Sequence, residues 1–206
     1  IVALNRPLDG DTAQALTTTF LECVVAPSCT PEAASILKAK PNLRVLVLPE
    51  LLTGAPEIVK SIAGGLLVQQ SDDLPVQPDT WQVVTQNQPT PAQMQELIFA
   101  WKVCRHIKSN AIAVTTNCTT LGIGAGQMNR VGSAQIAIAQ AGEQAKGAIL
   151  ASDGFFPFDD TVRSAAVAGI VAIVQPGGSI RDKDSIQAAD ELGLVMVLTN
   201  VRHFLH

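Results

Sequence analysis

The chain has few charges, and they are not massed with one sign. Lys and Arg number 14 against 18 Asp and Glu, 16% of the 206 residues are charged, and the formal net charge is −4. No basic stripe is present to neutralise a phosphate backbone, which argues against nucleic acid as a partner. Long apolar runs are also missing. The longest uninterrupted small or apolar stretch, Ala165 to Val174, is ten residues, well short of the roughly 18 to 20 needed to cross a bilayer. The expectation is a soluble, cytoplasmic chain without a membrane role. No basic stretch followed by an apolar stretch and a small-residue cleavage site opens the sequence, so no secretory signal is visible. The first residue is Ile1, and Ile-Val-Ala-Leu reads as the interior of a strand, so the chain is read as a fragment. The four cysteines, at 23, 29, 104 and 118, form no C-x-x-C and have no histidine at ligand spacing. No metal is expected, and the thiols read as idle in a reducing cytosol. Fixed-period repeats and low-complexity segments are absent as well.

What the chain does have is a 47% hydrophobic composition and enough length for one large or two small domains. Short β-branched runs at 1–4, 24–26, 44–48, 111–115, 147–151, 171–174 and 195–198 read as strands. Helical stretches fall between them, at 11–22, 31–40, 91–108, 130–146, 161–168 and 182–192. Their boundaries carry chemical signals: Thr30 precedes Pro31 as an N-cap, and Gly193 follows Leu192 as a C-cap. The order is α/β, and the nearly continuous apolar strands suit a sheet covered on both faces. Between Ser71 and Pro91, prolines and aspartates cluster around the short run 81–85, which reads as a connection between two units. In a crossover sheet the carboxyl ends of the strands feed the ligand crevice. That directs attention to the loops 152–160, 175–182 and 199–206.

Five constellations lie at or near such loops. Gly122, Gly124 and Gly126 precede a helix beginning near Arg130; they would let the backbone approach a ligand, with Arg130 as a planar fork for phosphate, or serve only tight packing. The dinucleotide fingerprint is not met, because the third glycine comes one place early and Glu143 is too near to be its acid. Asn110, in Lys-Ser-Asn before a strand, offers an amide at the crevice or acts as a turn residue. The loop from Ser152 to Asp160 holds three of the six phenylalanines between acids. Aromatic faces stack on flat heterocycles and a carboxylate such as Asp160 accepts from an amino-substituted ring; core plugging and helix capping are the competing reading. The turn Gln175 to Asp182 leaves backbone groups open, or is a plain turn. The last segment, Thr199 to His206, carries Arg202 with His203 and His206, suited to an anion or to solvent.

In order, K-S-N-A-I, G-I-G-A-G-Q-x-x-R, S-D-G-F-F-P-F-x-D, Q-P-G-G-S-I-R-D and T-N-x-R-H-F-x-H resemble the transformylase region of the AICAR transformylase/IMP cyclohydrolase family. The resemblance covers nearly the whole chain, including 1–5 and 20–27. It implies formyl transfer from formyl-tetrahydrofolate to the amino group of aminoimidazole carboxamide ribonucleotide (AICAR), followed in the intact enzyme by closure to IMP. It also implies a homodimer and an α/β fold of cytidine-deaminase-like three-layer units with a mixed, mostly parallel sheet. On that basis 1–75 is the remainder of a first unit, 76–90 a connection and 91–206 a second unit. By the same resemblance Asn110 lies near the reacting centre; Glu22, Arg130, Phe155 and Arg202 hold the ribonucleotide; and Asp160, Ser179 and Ile180 hold the folate. The family's catalytic Lys-His pair lies upstream, and no Lys-His dipeptide occurs here. The amine needs a base and the developing oxyanion a donor, so the isolated chain is expected to turn over little. The zinc-deaminase signature is also missing. The alternative is a non-catalytic nucleotide-binding or assembly module of the same fold.

Overall fold

In the computed structural model, which describes residues 1–50 and 54–206, the chain divides into two compact units, Ile1–Asp73 and Leu74–His206. The first unit contains β1 (Val2–Ala3), α1 (Gly10–Thr17), β2 (Cys23–Ala26), α2 (Pro31–Leu37), β3 (Arg44–Val47), β4 (Glu57–Ile62) and β5 (Gly65–Gln70). Strands β1, β2 and β3 form a parallel sheet in that order. Asp9 caps α1 by accepting from the Thr12 amide, and Thr30 caps α2 by accepting from that of Ala33. Helix α1 is shorter than expected because the hydroxyls of Thr17 and Thr18 turn back onto the Gln14 and Ala15 carbonyls, a local bonding that competes with further helix. Leu8, Ala13, Val24, Ala26, Ala33 and Leu37 form this unit's core.

Two features of the first unit depart from a doubly covered sheet. Every residue of β3 is exposed, although its sequence is as apolar as that of a buried strand. The antiparallel pair β4–β5, which was not expected from sequence, is exposed along its whole length. Val59, Leu66, Leu67 and Val68 are each more than half exposed.

The second unit contains β6 (Gln82–Val83), α3 (Pro91–Cys104), β7 (Ile112–Thr116), β8 (Thr119–Gly124), α4 (Arg130–Ala141), β9 (Ile149–Ser152), α5 (Asp160–Val167), β10 (Ala172–Gln175), α6 (Asp182–Glu191) and β11 (Val195–Leu198). The sheet order is β6-β11-β10-β9-β7-β8. Strands β9, β10 and β11 are mutually parallel. Strand β7 runs against β9 and β8 runs against β7, so β8 shares the direction of the central three, while β6 opposes β11. The sheet is mixed with most strands running one way, as the sequence led us to expect. The residues read as a connection, 76–90, lie in this unit, where Gln82–Val83 supplies the strand beside β11.

Alternating side chains sort the core into two faces. Ile112, Val114, Leu150, Ile173, Met196 and Leu198 pack on one side with alanines of α4 and α6 and with Val162 of α5. Ala113, Ala151, Ala172 and Val174 face the other side, against Leu97, Ala100 and Trp101 of α3. Small strand residues there leave room for the indole of Trp101, which is buried. The result is a helix–sheet–helix sandwich whose period-two strand pattern was hidden because both faces are apolar. A full capping box at Thr90 and Gln93 starts α3, as that sequence pattern dictates. No helix among the described residues is long and apolar enough to cross a membrane.

Candidate functional site

The strand directions bring the expected loops to one edge of the second sheet. Strands β8, β9, β10 and β11 end there, and the antiparallel β7 begins there, with Ile112 paired to Ser152. Residues 109–111, 125–130, 153–160, 176–182 and 199–206 therefore leave the sheet at the same margin.

Asp153, the first residue beyond β9, is wholly buried and binds three segments of that margin. Its Oδ1 accepts from the Ala111 amide at 3.1 Å and from Arg130 Nη2 at 2.8 Å. Its Oδ2 accepts from the Ser109 hydroxyl. Its own amide donates to the Ala111 carbonyl, and its carbonyl accepts from the His203 amide. Arg130, the first residue of α4, also donates from Nη1 to the Phe155 carbonyl at 3.2 Å, and its side chain is only 10% exposed. The fork read as a phosphate ligand thus faces a protein carboxylate and a carbonyl. A Cβ on Gly154 would lie 2.5 Å from Arg130 Nη2, so glycine there makes room for the guanidinium.

Asn110 sits between two residues that Asp153 holds. Its Nδ2 donates to the Gln127 carbonyl at 2.7 Å, and its own carbonyl accepts from the Ser133 hydroxyl at 2.6 Å. The side chain is half-buried at the margin. Among the described residues nothing donates to its Oδ1.

Phe155 is half-buried, with the exposed guanidinium of Arg202 over its ring, Cζ to centroid 5.0 Å. Phe156 is fully buried in the core, and Phe158 is half exposed beneath Arg181, Cζ to centroid 4.9 Å. The aromatic loop therefore divides its labour: one ring plugs the core and two carry cations at the surface, a stabilising arrangement for Arg.

On the neighbouring loop, the Asp182 carboxylate accepts from the Gly178 amide at 2.7 Å and the Ser179 amide at 3.2 Å. Gln175 Oε1 accepts from the Gly177 amide at 2.9 Å. Gly177 and Gly178 have φ of 71° and 93°, values that glycine adopts at little cost. Ser179 is half-buried, while Ile180 stands fully in solvent. Asp160 opens α5 and is exposed; its Oδ1 accepts from the Thr161 amide. Asn110, Arg130, Phe155, Asp160, Ser179, Ile180 and Arg202 all lie on these margin loops. Glu22 lies in the first unit, exposed, its carbonyl accepting from the Arg44 amide.

Two readings change with the structure. Gly122 and Gly124 lie inside β8, where a Cβ would stand 1.9 Å from the carbonyl oxygens of Ala137 and Ser133 on α4. Of the two readings of this run, tight strand–helix packing is what occupies these positions. Asn129, not a ligand, meets the start of α4, accepting from the Gly132 amide at 2.7 Å. Asp153 and Ser109 were missed. The available signal was an acid directly after an apolar strand and before a glycine, where a carboxylate is buried by the chain on both sides.

Burial raises the pKa of the Cys104 thiol, with the nearby Asp153 charge adding to it. Cys104 is thus held as a neutral, inert thiol close behind the site. Among the described residues no group of three or more His, Cys, Asp or Glu is placed to hold a metal ion.

Residues 1–140 match the family model described as the AICARFT/IMPCHase bienzyme. The chain is 71% identical over all of its 206 residues to the bifunctional purine biosynthesis protein PurH of a Cyanothece species, and 68% identical over the same length to that of a Nostoc species. It spans 40% and 41% of those proteins. Among solved structures, a cyanophage S-TIM5 dCMP deaminase aligns at TM-score 0.35 and 18% identity, over 53% of this chain and 98% of that one. A RibD structure from Acinetobacter baumannii aligns at 0.35 and 17%, over 51% and 33%. The match to the family model over most of the chain settles the relationship: this chain belongs to the AICARFT/IMPCHase bienzyme family.

Proposed function

We propose that the chain forms part of a formyltransferase that moves a formyl group from formyl-tetrahydrofolate to the amino group of AICAR, in purine biosynthesis in the cytoplasm. The observation that carries this reading is the gathering, at one sheet margin, of an amide with an open acceptor (Asn110), a cation-capped aromatic ring (Phe155 and Arg202) and a second loop pair bearing Asp160, Ser179 and Ile180. Family membership supports it, since relatives bear the name of a bifunctional purine biosynthesis protein.

In this reading Arg202 meets the ribonucleotide phosphate and Phe155 lies against its flat base. Arg130 shapes that pocket through the Phe155 carbonyl. Asn110 Oδ1 accepts from the amine and aims its lone pair at the formyl carbon. The new bond joins that nitrogen to the formyl carbon while the carbon–nitrogen bond to the folate breaks. The amine proton must go to a base, a role the family resemblance gives to a Lys-His pair that this chain does not contain, while the departing folate nitrogen keeps the electron pair of the broken bond and takes up a proton in turn. Asp160, Ser179 and Ile180 form the folate side; Glu22, in the first unit, keeps its assignment to the ribonucleotide from the family resemblance alone. A second copy of the chain as partner belongs to the same reading, supported by the exposed apolar faces of β3 and β4–β5, which call for cover.

Calorimetric titration tests the assignment. The chain is expected to bind AICAR without appreciable turnover, and Arg202→Ala to weaken that binding about tenfold or more while sparing a folate analogue, the loss of a charge-assisted contact being worth about 1.5–3 kcal/mol. Asp160→Ala is expected to do the reverse. Equal loss of both ligands in either variant would refute the division of the site. Tight association of copies with no response to AICAR or the folate analogue would favour the assembly-module reading instead.

A further inference from the structure

We infer that Asp153 is the positioning residue for Asn110, holding the reactive amide in place by gripping the residue on each side of it. The inference deepens the formyl-transfer reading and rests on it. Asn110 has no rigid element of its own: it precedes β7 and is half-buried at the margin. Its own backbone amide and carbonyl bond to the Gln127 carbonyl and the Ser133 hydroxyl, and its flanks are gripped by a carboxylate that takes the Ser109 hydroxyl on one oxygen and the Ala111 amide on the other. Asp153 and Ala111 also exchange the reciprocal backbone bond from the Asp153 amide. With its neighbours clamped, Asn110 is left to turn only about its side chain, which the Gln127 carbonyl then orients.

The same carboxylate is the ionic partner of Arg130, and Arg130 holds the carbonyl of Phe155. The Asp153 carbonyl takes the amide of His203, next to Arg202. One buried charge therefore sets the spacing between the amide that meets the reacting amine and the Phe155–Arg202 pair assigned to the base and phosphate. A buried carboxylate is costly unless its hydrogen bonds are met. Here Arg130 supplies the countercharge, so the carboxylate can serve as an acceptor-only clamp. An amide in its place could keep its oxygen towards Arg130 and Ala111 only by turning the Ser109 hydroxyl from donor to acceptor, and it would remove the charge that Arg130 balances, so the clamp would loosen on both counts.

The test is NMR of the isotope-labelled 206-residue chain, reading the side-chain amide pair of Asn110, with that of Gln140 as an internal reference. Gln140 accepts from the Ile123 amide between β8 and α4, away from Asp153. In Asp153→Asn the Asn110 pair is expected to shift and lose protection from solvent exchange while the Gln140 pair stays put, with AICAR binding about tenfold weaker, the order of one lost hydrogen bond. Ser109→Ala, which leaves the Asp153–Arg130 pair intact, is expected to move the Asn110 signals the same way by a smaller amount, and it decides the matter if Asp153→Asn does not fold. Unmoved Asn110 signals in a folded variant, or equal movement of Asn110 and Gln140, overturns the inference. The unliganded spectra test the clamp alone. If they behave as expected but AICAR leaves the wild-type Asn110 signals unchanged, the formyl-transfer reading fails and the clamp stands.

Discussion

At the scale of single residues, the sequence announced the exposed groups of the site better than the buried ones. Phe155, Arg202 and Asn110 stand in runs unlike the strands before them, and polar groups at strand ends draw the eye. Asp153 stands in the same run and was passed over, because a lone acid before a glycine gives no hint of how deeply it lies. Its burial arises from segments far apart in sequence, Ser109–Ala111, Arg130 and His203, which no local pattern joins. Cys104 offers a test at this scale. Its ordinary pKa of 9.0 is raised in the fold by burial first and the Asp153 charge second. The unfolded chain therefore releases this proton at lower pH than the folded one. The stabilising difference is whole below the ordinary thiol range, and stability falls as pH climbs above it, by up to about 1.4 kcal/mol per pH unit. Denaturant melts at pH 8 and pH 10 are expected to show the loss, and Cys104→Ala should flatten it. Alkylation at pH 8 should modify exposed Cys118 promptly and Cys104 only on unfolding. The loop at 177–179 also turns out to be polar in one sense only. Its three successive amides are already taken by Gln175 and Asp182, so what its backbone can still offer a ligand is acceptors, with the Ser179 hydroxyl as the remaining donor. That suits an amino-bearing ring and disfavours an anion.

At the scale of elements, the legible part was whatever carried a chemical boundary or a long apolar period. Helices beginning at Pro31, Pro91, Arg130 and Asp182 match their expected starts, since caps and prolines act locally. Strand β8 was not legible. Its glycines suggested a loop, whereas they are present because α4 lies too close for any side chain. Gly122→Ala is expected to push α4 off the sheet and destabilise the second unit by about 3 kcal/mol, the upper part of the usual overpacking range. Chemical denaturation measures it directly, and a change below about 0.5 kcal/mol, the scatter of neutral surface changes, would contradict the close approach. Gly126→Ala should behave differently. No atom crowds that position, but its φ is +65°, so the cost is backbone strain of about 1–2 kcal/mol. The hairpin β4–β5 was missed for a related reason. Its residues alternate with no buried face, so they lack the period that marks a half-covered strand.

At the scale of the whole molecule, the two units differ in how much core each owns. Among the described residues the first closes around six buried ones, all aliphatic and none larger than leucine, and the second has two larger clusters, one on each face of its sheet. None of these clusters mixes residues from both units. Heating is therefore expected to give two transitions, the first unit melting before the second, and a chain cut to Leu74–His206 should keep the upper one unchanged. Calorimetry of the two chains decides it, and a single transition lost on truncation would count against separate units. The order of strands has a further consequence during synthesis. Strand β6 has one partner, β11, with Val83 lying against Val197. At about 5–20 residues per second, a ribosome needs on the order of ten seconds to make the chain between them. Throughout that interval Gln82–Val83 has no strand to join, and the sheet margin that gathers the loops of the candidate site is incomplete. The stretch that reads as a mere linker in the sequence is a linker in the nascent chain, and becomes a strand only when the last one has emerged.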